Sequence, residues 1–296
     1  MTRWAHIAAE QIRFDYSETE VSNEEYSLHC HNFYELYYFI NGDVDYLVEG
    51  RHYHPTPHSL LLLAPNIFHG VRINSEAPYR RYSFHFHPDC LSAERRAPLL
   101  SLFPGPEDAG RLIYFEHLDE QQVPAFFDAL AQCSHEPEDT KNALLPILAE
   151  ALLSKLLMVC RTDSHYLSAP ASSSTVGNIL TYLNEHLAMP ISLDEISQKF
   201  YISKHHLNKV FRSATGTTVG DYLLHKRVAH AQMMLLAGHS AADASSASGF
   251  SDYSAFFRAY KRITGHSPVQ DRGGAPFQQS SGSRMQVIAA PGTELL

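Results

Sequence analysis

Two stretches of this chain repeat one another, and that repeat constrains the C-terminal third more than any other feature. Leu193, Ile196, Phe200, Ile202 and Ser203 return 48 residues later as Ala241, Ala244, Ser248, Phe250 and Ser251. Leu207, Phe211 and Gly216 return 49 residues later as Phe256, Tyr260 and Gly265. A duplicated turn-plus-helix unit implies two copies of one module. In the second copy Gly249 can close one helix with φ > 0, and Ser251 or Asp252 can N-cap the next. Tyr253, Phe256, Phe257 and Tyr260 then make an apolar face at helical spacing, with Ser254, Ala255, Arg258, Lys261 and Arg262 on the rest of the surface. Gly265 and Pro268 end that helix. Between the copies, Tyr222–Leu236 reads as a connecting helix. Two short helices held on one rigid helix can meet successive major grooves of DNA, about 34 Å apart.

Charge supports that reading only when it is mapped along the chain. The net charge is −9, which argues against a nucleic-acid binder. From Thr175 to Arg272, however, there are 10 Lys+Arg against 7 Asp+Glu, and the remainder carries 13 against 25. An acidic sensing half joined to a mildly basic half is the expectation. Cys30, Cys90, Cys133 and Cys160 show no CxxC spacing, which suits reduced thiols in a cytoplasmic protein. Met1–Gln11 has no signal-peptide pattern, and no apolar run approaches a membrane span, so no membrane partner is expected.

The first half changes period along its length. Residues 1 to about 27 are mixed; they can form an arm lying over the next domain, and the sequence does not decide it. From Tyr26 to Phe86 the signals are those of strands: Leu36–Ile40, then the Asn41-Gly42-Asp43 turn, then Val44, Tyr46 and Val48 alternating up to a second turn at Glu49-Gly50. Leu60–Leu63 suits a strand buried on both faces, and Tyr82, Phe84 and Phe86 alternate again. Short antiparallel strands at this spacing predict a small barrel or double-sheet jelly roll. From about Asp119 the period becomes helical. Leu145, Leu148, Leu152, Leu156 and Val159 form a stripe, flanked by Leu144, Ile147, Leu153 and Leu157, with Pro146 expected in the first turn or at a kink. One flank can face the barrel and the other a second subunit. Thr162–Thr175 reads as a Ser/Ala/Pro linker, and the segment beyond Arg272 as a disordered tail.

Residues 176–272 resemble the DNA-binding domain of the AraC family of transcription regulators, above all in FSDYSAFFRAYKRITGHSP. The N-terminal half is similar to the family's cupin-type effector domain, and HNFYELYYFINGDVDYLVEG to members tied to carbohydrate use. The resemblance implies base-reading positions at His205, Asn208 and Lys209 in the first copy, and at Tyr253, Ser254, Ala255 and Arg258 in the second. Arg258 and Lys209 can donate to guanine, and Asn208 can pair with adenine. Lys204, Arg212, Lys261 and Arg262 are expected to hold phosphates. Two departures stand out. Ala241, Ala244 and Ser248 replace the family's bulky aliphatics, and Asp271 replaces its closing tyrosine, so a thin second core is expected.

His29, His31 and Glu35 share strand parity, and His69 follows the Leu60–Leu63 run. The HxHxxxE spacing matches the first motif of metal-binding cupins, whereas Pro57-His58-Ser59 departs from the second. Three readings stay open here. The cluster, with Phe33 and Tyr37, can line a polar sugar pocket; it can hold one divalent transition metal; or it can be structural. The competing function class is a metal-dependent cupin enzyme, an isomerase or dioxygenase, or else a metal-sensing regulator. An enzyme would leave the duplicated module without a use.

The expectation is therefore an α+β chain of two domains. Residues 1–162 form a cupin-like jelly roll with a helical dimerisation hairpin, 163–175 a linker, 176–272 an all-α double helix-turn-helix, and 273–296 a tail. Its function is ligand-responsive transcription regulation, not catalysis. The expected partners are promoter DNA, a sugar-like effector, a second copy of the chain and RNA polymerase.

Overall fold

The computed structural model describes residues 2–9, 11–22, 29–31, 33–49, 51–104, 113–162, 175–215 and 217–272. The expected linker core and tail lie outside these residues, as does Gly216 of the repeat. Nine strands are described: β1 Thr2–Ala8, β2 Ile12–Thr19, β3 Tyr34–Asn41, β4 Val44–Val48, β5 Arg51–Tyr53, β6 Ser59–Leu63, β7 His69–Ile73, β8 Tyr79–Phe86 and β9 Tyr114–Phe115. Among the described residues they form a six-stranded sheet in the order β1-β2-β8-β3-β6-β9 and a three-stranded sheet in the order β5-β4-β7.

Strand alternation builds two cores from these sheets. On β3, Leu36 and Tyr38 face one way, while Tyr37 and Phe39 face the other. On β6, Leu60 and Leu62 divide in the same manner from Leu61 and Leu63, which is why that run needs no polar residue. The second set joins Tyr46, Val48 and Ile73 of the smaller sheet in one cluster. The first set packs under α1 Ala93–Leu100, α2 Pro124–Cys133 and α3 Glu138–Thr162.

Two expectations for this half need correction, and one open segment takes a definite form. The N-terminal segment is part of the larger sheet. β1 and β2 pair antiparallel, and β2 pairs with β8 from Ile12↔Phe86 to Thr19↔Tyr79. Ile12 and Phe14 are buried and alternate with exposed Arg13, a period of two that is short enough to be overlooked. Next, Glu138–Arg161 is long and apolar enough, by length and composition, to cross a membrane. Here it packs against α1 and α2, with Leu145, Ala149, Leu152, Leu156 and Val159 in the core and Glu150 accepting from the Ser92 amide at 2.6 Å and from Arg95. Finally, the leucine stripe is buried in the core of its own domain, and Leu153 of the flank is also fully buried. Leu144, Ile147 and Met158 are the exposed apolar residues of this helix. Pro146 sits inside α3, past its first turn.

The C-terminal half is helical: α4 Thr175–Glu185, α5 Leu193–Lys199, α6 Lys204–Thr215, α7 Val219–Leu236, α8 Ala241–Ala247 and α9 Tyr253–Thr264. Local signals set the boundaries. Ser192 and Glu195 form a capping box on α5. Thr218, Ser240 and Asp252 cap α7, α8 and α9 through the amides of Asp221, Asp243 and Ala255. Of the two residues expected to cap α9, Asp252 is the one that does. Gly265 ends α9 in the left-handed conformation, φ +84°.

Candidate functional site

Histidines and a carboxylate gather at one end of the space between the two sheets. Glu35 is the second residue of β3 and pairs across to His85 of β8; His69 opens β7. The strand-like stretch at His29 bridges to His69 through two backbone hydrogen bonds, N–H of each to the carbonyl of the other at 2.9 and 3.0 Å. Around Glu35 Oε2 stand His31 Nε2 at 2.9 Å, His69 Nε2 at 3.1 Å and His85 Nε2 at 3.4 Å. The nearest ligand atoms of His29, His31, Glu35 and His69 all lie within 4.8 Å of one another. Burial drives the His31 imidazolium down to about 3, against the pull of Glu35. Burial also opposes the charge on Glu35, but His85, His31 and His69 outweigh it and hold the carboxyl well below its usual range.

The structure thus brings His29, His31 and Glu35, which share parity, together with His69 from after the Leu60–Leu63 run, and it adds His85. That residue lies fifty positions from Glu35, and only strand pairing puts them side by side. Phe33 stacks on His31 with ring centroids 3.8 Å apart. Tyr37 does not line an open pocket. It is buried, its hydroxyl hydrogen-bonds Tyr79 Oη at 2.7 Å, and burial raises its pKa well above the ordinary value. Half-buried Arg81, Ser83 and His85 alternate along the same face of β8, with the Arg81 guanidinium 4.5 Å from the Tyr79 ring centroid.

The second constellation is the surface of α6 and α9. Lys204, His205, Lys209 and Arg212 are exposed on α6, with Asn208 half-buried. Tyr253, Ser254, Arg258, Lys261 and Arg262 are exposed on α9, with Ala255 half-buried. Their opposite faces carry Leu207 and Phe211 in one core and Phe256, Ala259 and Tyr260 in another. Each helix therefore offers a polar, cationic side to solvent while its apolar side holds it in place. Lys204 already pairs with Asp194 at 2.6 Å.

A third feature had no signal in the sequence. Glu49, at the tip of the β4–β5 hairpin with φ +46°, accepts four hydrogen bonds. Its donors are the Phe68 amide at 2.8 Å, Asn184 Nδ2 at 3.1 Å, Lys226 Nζ at 2.8 Å and the Tyr222 hydroxyl. Lys226 is buried and also donates to the Asn66 carbonyl at 3.0 Å. Cys30 and Phe68 of the β-rich half enter the core formed by α4, α5, α6 and α7, where the Phe68 ring centroid is 4.9 Å from that of Tyr222. The two halves are joined by an apolar plug and a charged bond. Partners separated by 177 residues in sequence leave no local trace.

Comparison with known proteins matches the two halves separately. A model of the AraC-like ligand binding domain covers residues 11–157, and one of a helix-turn-helix domain covers residues 196–273. The HTH-type transcriptional activator RhaR, from Escherichia coli and from Shigella flexneri, is 34% identical over 131 residues, 42% of this chain and 46% of the relative. The chain thus spans about half the length of the curated relatives it matches. Among solved structures, the DNA-binding domain of AdpA in complex with a target DNA is 26% identical over 33% of this chain and 87% of that one, with a TM-score of 0.31. ToxT from Vibrio cholerae aligns over 88% of this chain and 97% of its own at 13% identity, with a TM-score of 0.34. TM-scores of this size set no constraint on how the present chain is arranged.

Proposed function

The chain belongs to the AraC family of transcription regulators, and from that premise we propose that it is a ligand-responsive activator of carbohydrate-utilisation genes. It reads promoter DNA in the cytoplasm as a homodimer and engages RNA polymerase there. One observation carries the DNA-reading part: α6 and α9 each present an exposed polar face, and each is anchored by its apolar side against α7. In this reading His205, Asn208, Lys209, Tyr253, Ser254, Ala255 and Arg258 meet base edges, and Lys204, Arg212, Lys261 and Arg262 meet phosphates.

Residues 1–162 act as a cupin-type jelly roll that receives the effector, 163–175 as the linker, 176–272 as the DNA-binding domain and 273–296 as a tail. Arg81, Ser83 and His85 supply the donors and acceptors that a polyol needs, beside Glu35. The dimer forms through Leu144, Ile147 and Met158 of α3. Ile147→Glu tests this seam, because Leu152 belongs to the fold's own core and a charge there would unfold the domain.

Selection of a bound site from random DNA, followed by titration of variants, tests the reading. Arg258→Ala should lose about 1–3 kcal/mol on the selected site and relax preference at one or two base pairs, while Lys261→Ala weakens all sequences alike. Equal losses for Arg258→Ala on selected and scrambled DNA would remove the base-reading role.

A further inference from the structure

His31 and His69 are oriented alike. Nδ1 of His31 lies 3.1 Å from the Phe33 carbonyl oxygen, and Nδ1 of His69 lies 2.8 Å from that of Ile67. A carbonyl only accepts, so in both rings Nδ1 carries the hydrogen and a neutral ring turns a bare Nε2 lone pair inward. Nε2 of both rings points at Glu35 Oε2, at 2.9 and 3.1 Å, and a ring nitrogen and a carboxylate oxygen at that distance need a proton or a metal ion between them. His69 Nε2 is buried and has no hydrogen-bond partner. Acceptors converging in a closed site repel one another unless positive charge lies among them. His29 adds a third imidazole, its ring centroid 4.3 Å from that of His69.

The donor set selects the kind of charge. Three imidazoles and a carboxylate suit a late first-row divalent ion, whereas Ca²⁺ and Mg²⁺ take oxygen shells. Two ligands on such an ion, each at ~2.1 Å, stand no more than about 4.2 Å apart. The four ligand atoms lie within 4.8 Å of one another, so a small contraction encloses the ion. An Nδ1–H held by a backbone carbonyl is also the outer support that fixes a metal-binding ring.

The same strands lead out to the other domain. Cys30 stands between His29 and His31, and Phe68 stands immediately before His69. Side chains alternate along an extended chain. The histidines turn inward, and Cys30 and Phe68 turn into the core of the DNA-binding half, beside Val176, Ile179 and Tyr222. Phe68 also exchanges two backbone-level bonds with Glu49: its amide donates to the Glu49 carboxylate, and the Glu49 amide donates to its carbonyl, both at 2.8 Å. Whatever draws the three histidines together sets the position of both plug residues.

We propose that His29, His31, Glu35 and His69 bind one divalent transition-metal ion, and that its occupancy tightens the contact between the two domains at Phe68, Glu49 and Tyr222. The second clause rests on the regulator reading; the first does not.

The test uses the full chain, stripped with a chelator and titrated with Co²⁺ alone. Elemental analysis and the visible Co²⁺ absorption should reach one ion per chain. Glu35→Gln, and His29→Ala at the half-buried rim where folding is least at risk, should weaken binding by more than the 10–100-fold typical of outer-support changes. Far-UV circular dichroism confirms that each variant is folded. No retained ion in the folded wild type overturns the site, and equal retention in wild type and both variants overturns the ligand assignment. Hydrogen exchange without DNA reads the coupling. Saturating Co²⁺ should slow the Phe68 and Tyr222 amides on the order of tenfold while leaving α9 unchanged. A bound ion with identical exchange at these amides overturns the coupling. None of these measurements involves an operator, so failure of DNA reading would appear separately.

Discussion

The two helix-turn-helix copies reach the same shape by opposite distributions of bulk. In the first, the opening helix supplies Leu193, Ile196 and Phe200, and the second helix closes on them with Leu207 and Phe211. In the second, the opening helix supplies only Ala241, Ala244 and Ser248, and the volume moves across to Phe250, Phe256 and Tyr260. Phe250 and Tyr260 flank Phe256 with ring centroids 5.2 and 5.4 Å away. Ala244 and Ser248 are fully buried, and Ser248 Oγ lies 3.0 Å from His230 Nδ1. The thin core expected from α8 alone is thus compensated by α9, as volume-conserving exchanges in cores allow. Asp271, in place of a tyrosine, is buried and accepts from the Tyr260 hydroxyl and from Gln232 Nε2 at 3.0 Å.

The copies also differ in what they rest on. The first is fastened to the β-rich half through Glu49, Lys226 and Phe68. The second rests on α7 and on the chain after α4, where Arg227 Nε donates to the Leu187 carbonyl at 3.0 Å. Their turns follow suit. Gly249 adopts φ +75°, and a Cβ there would stand 2.7 Å from the Leu187 oxygen. The matching residue of the first copy is Tyr201, held at φ +55° and 95% exposed. One turn needs glycine for two reasons; the other carries a strained tyrosine in open solvent.

The largest effect should come from Glu49→Ala, which leaves Lys226 without its carboxylate and costs on the order of 3–5 kcal/mol of interdomain contact. Exchange across α4 and α6 should accelerate toward that of α9, and unchanged protection of α6 would show that the apolar plug suffices alone. Gly249→Ala comes next. Backbone strain costs about 1–3 kcal/mol and the Leu187 clash adds to it. Calorimetry should show the second copy melting earlier with the first unmoved, whereas a uniform shift would mean the copies unfold as one. Tyr260→Phe removes a donor from buried Asp271 and should cost about 1.5–3 kcal/mol in urea titration. A neutral outcome would mean that Gln232 and His266 satisfy the carboxylate without the hydroxyl. The smallest effect runs the other way: Tyr201→Gly should relieve about 1 kcal/mol of left-handed strain. Destabilisation by that variant would reveal a packing role for an exposed ring.

Periodicity and spacing made much of this legible. The repeat at 48 residues, the Asp252 cap, the Leu60–Leu63 strand and the shared parity of His29, His31 and Glu35 are local patterns. Each expresses backbone geometry within one element, and local geometry is what a sequence determines directly. Tertiary structure decided the rest. It placed His85 against Glu35, turned the leucine stripe of α3 into the core of its own domain, and moved the bulk of the second copy from α8 to α9. It joined Glu49 to Lys226 across the domain boundary. Those outcomes depend on which faces meet and on how buried charges and volumes are satisfied between distant segments, and no window of neighbouring residues contains that information.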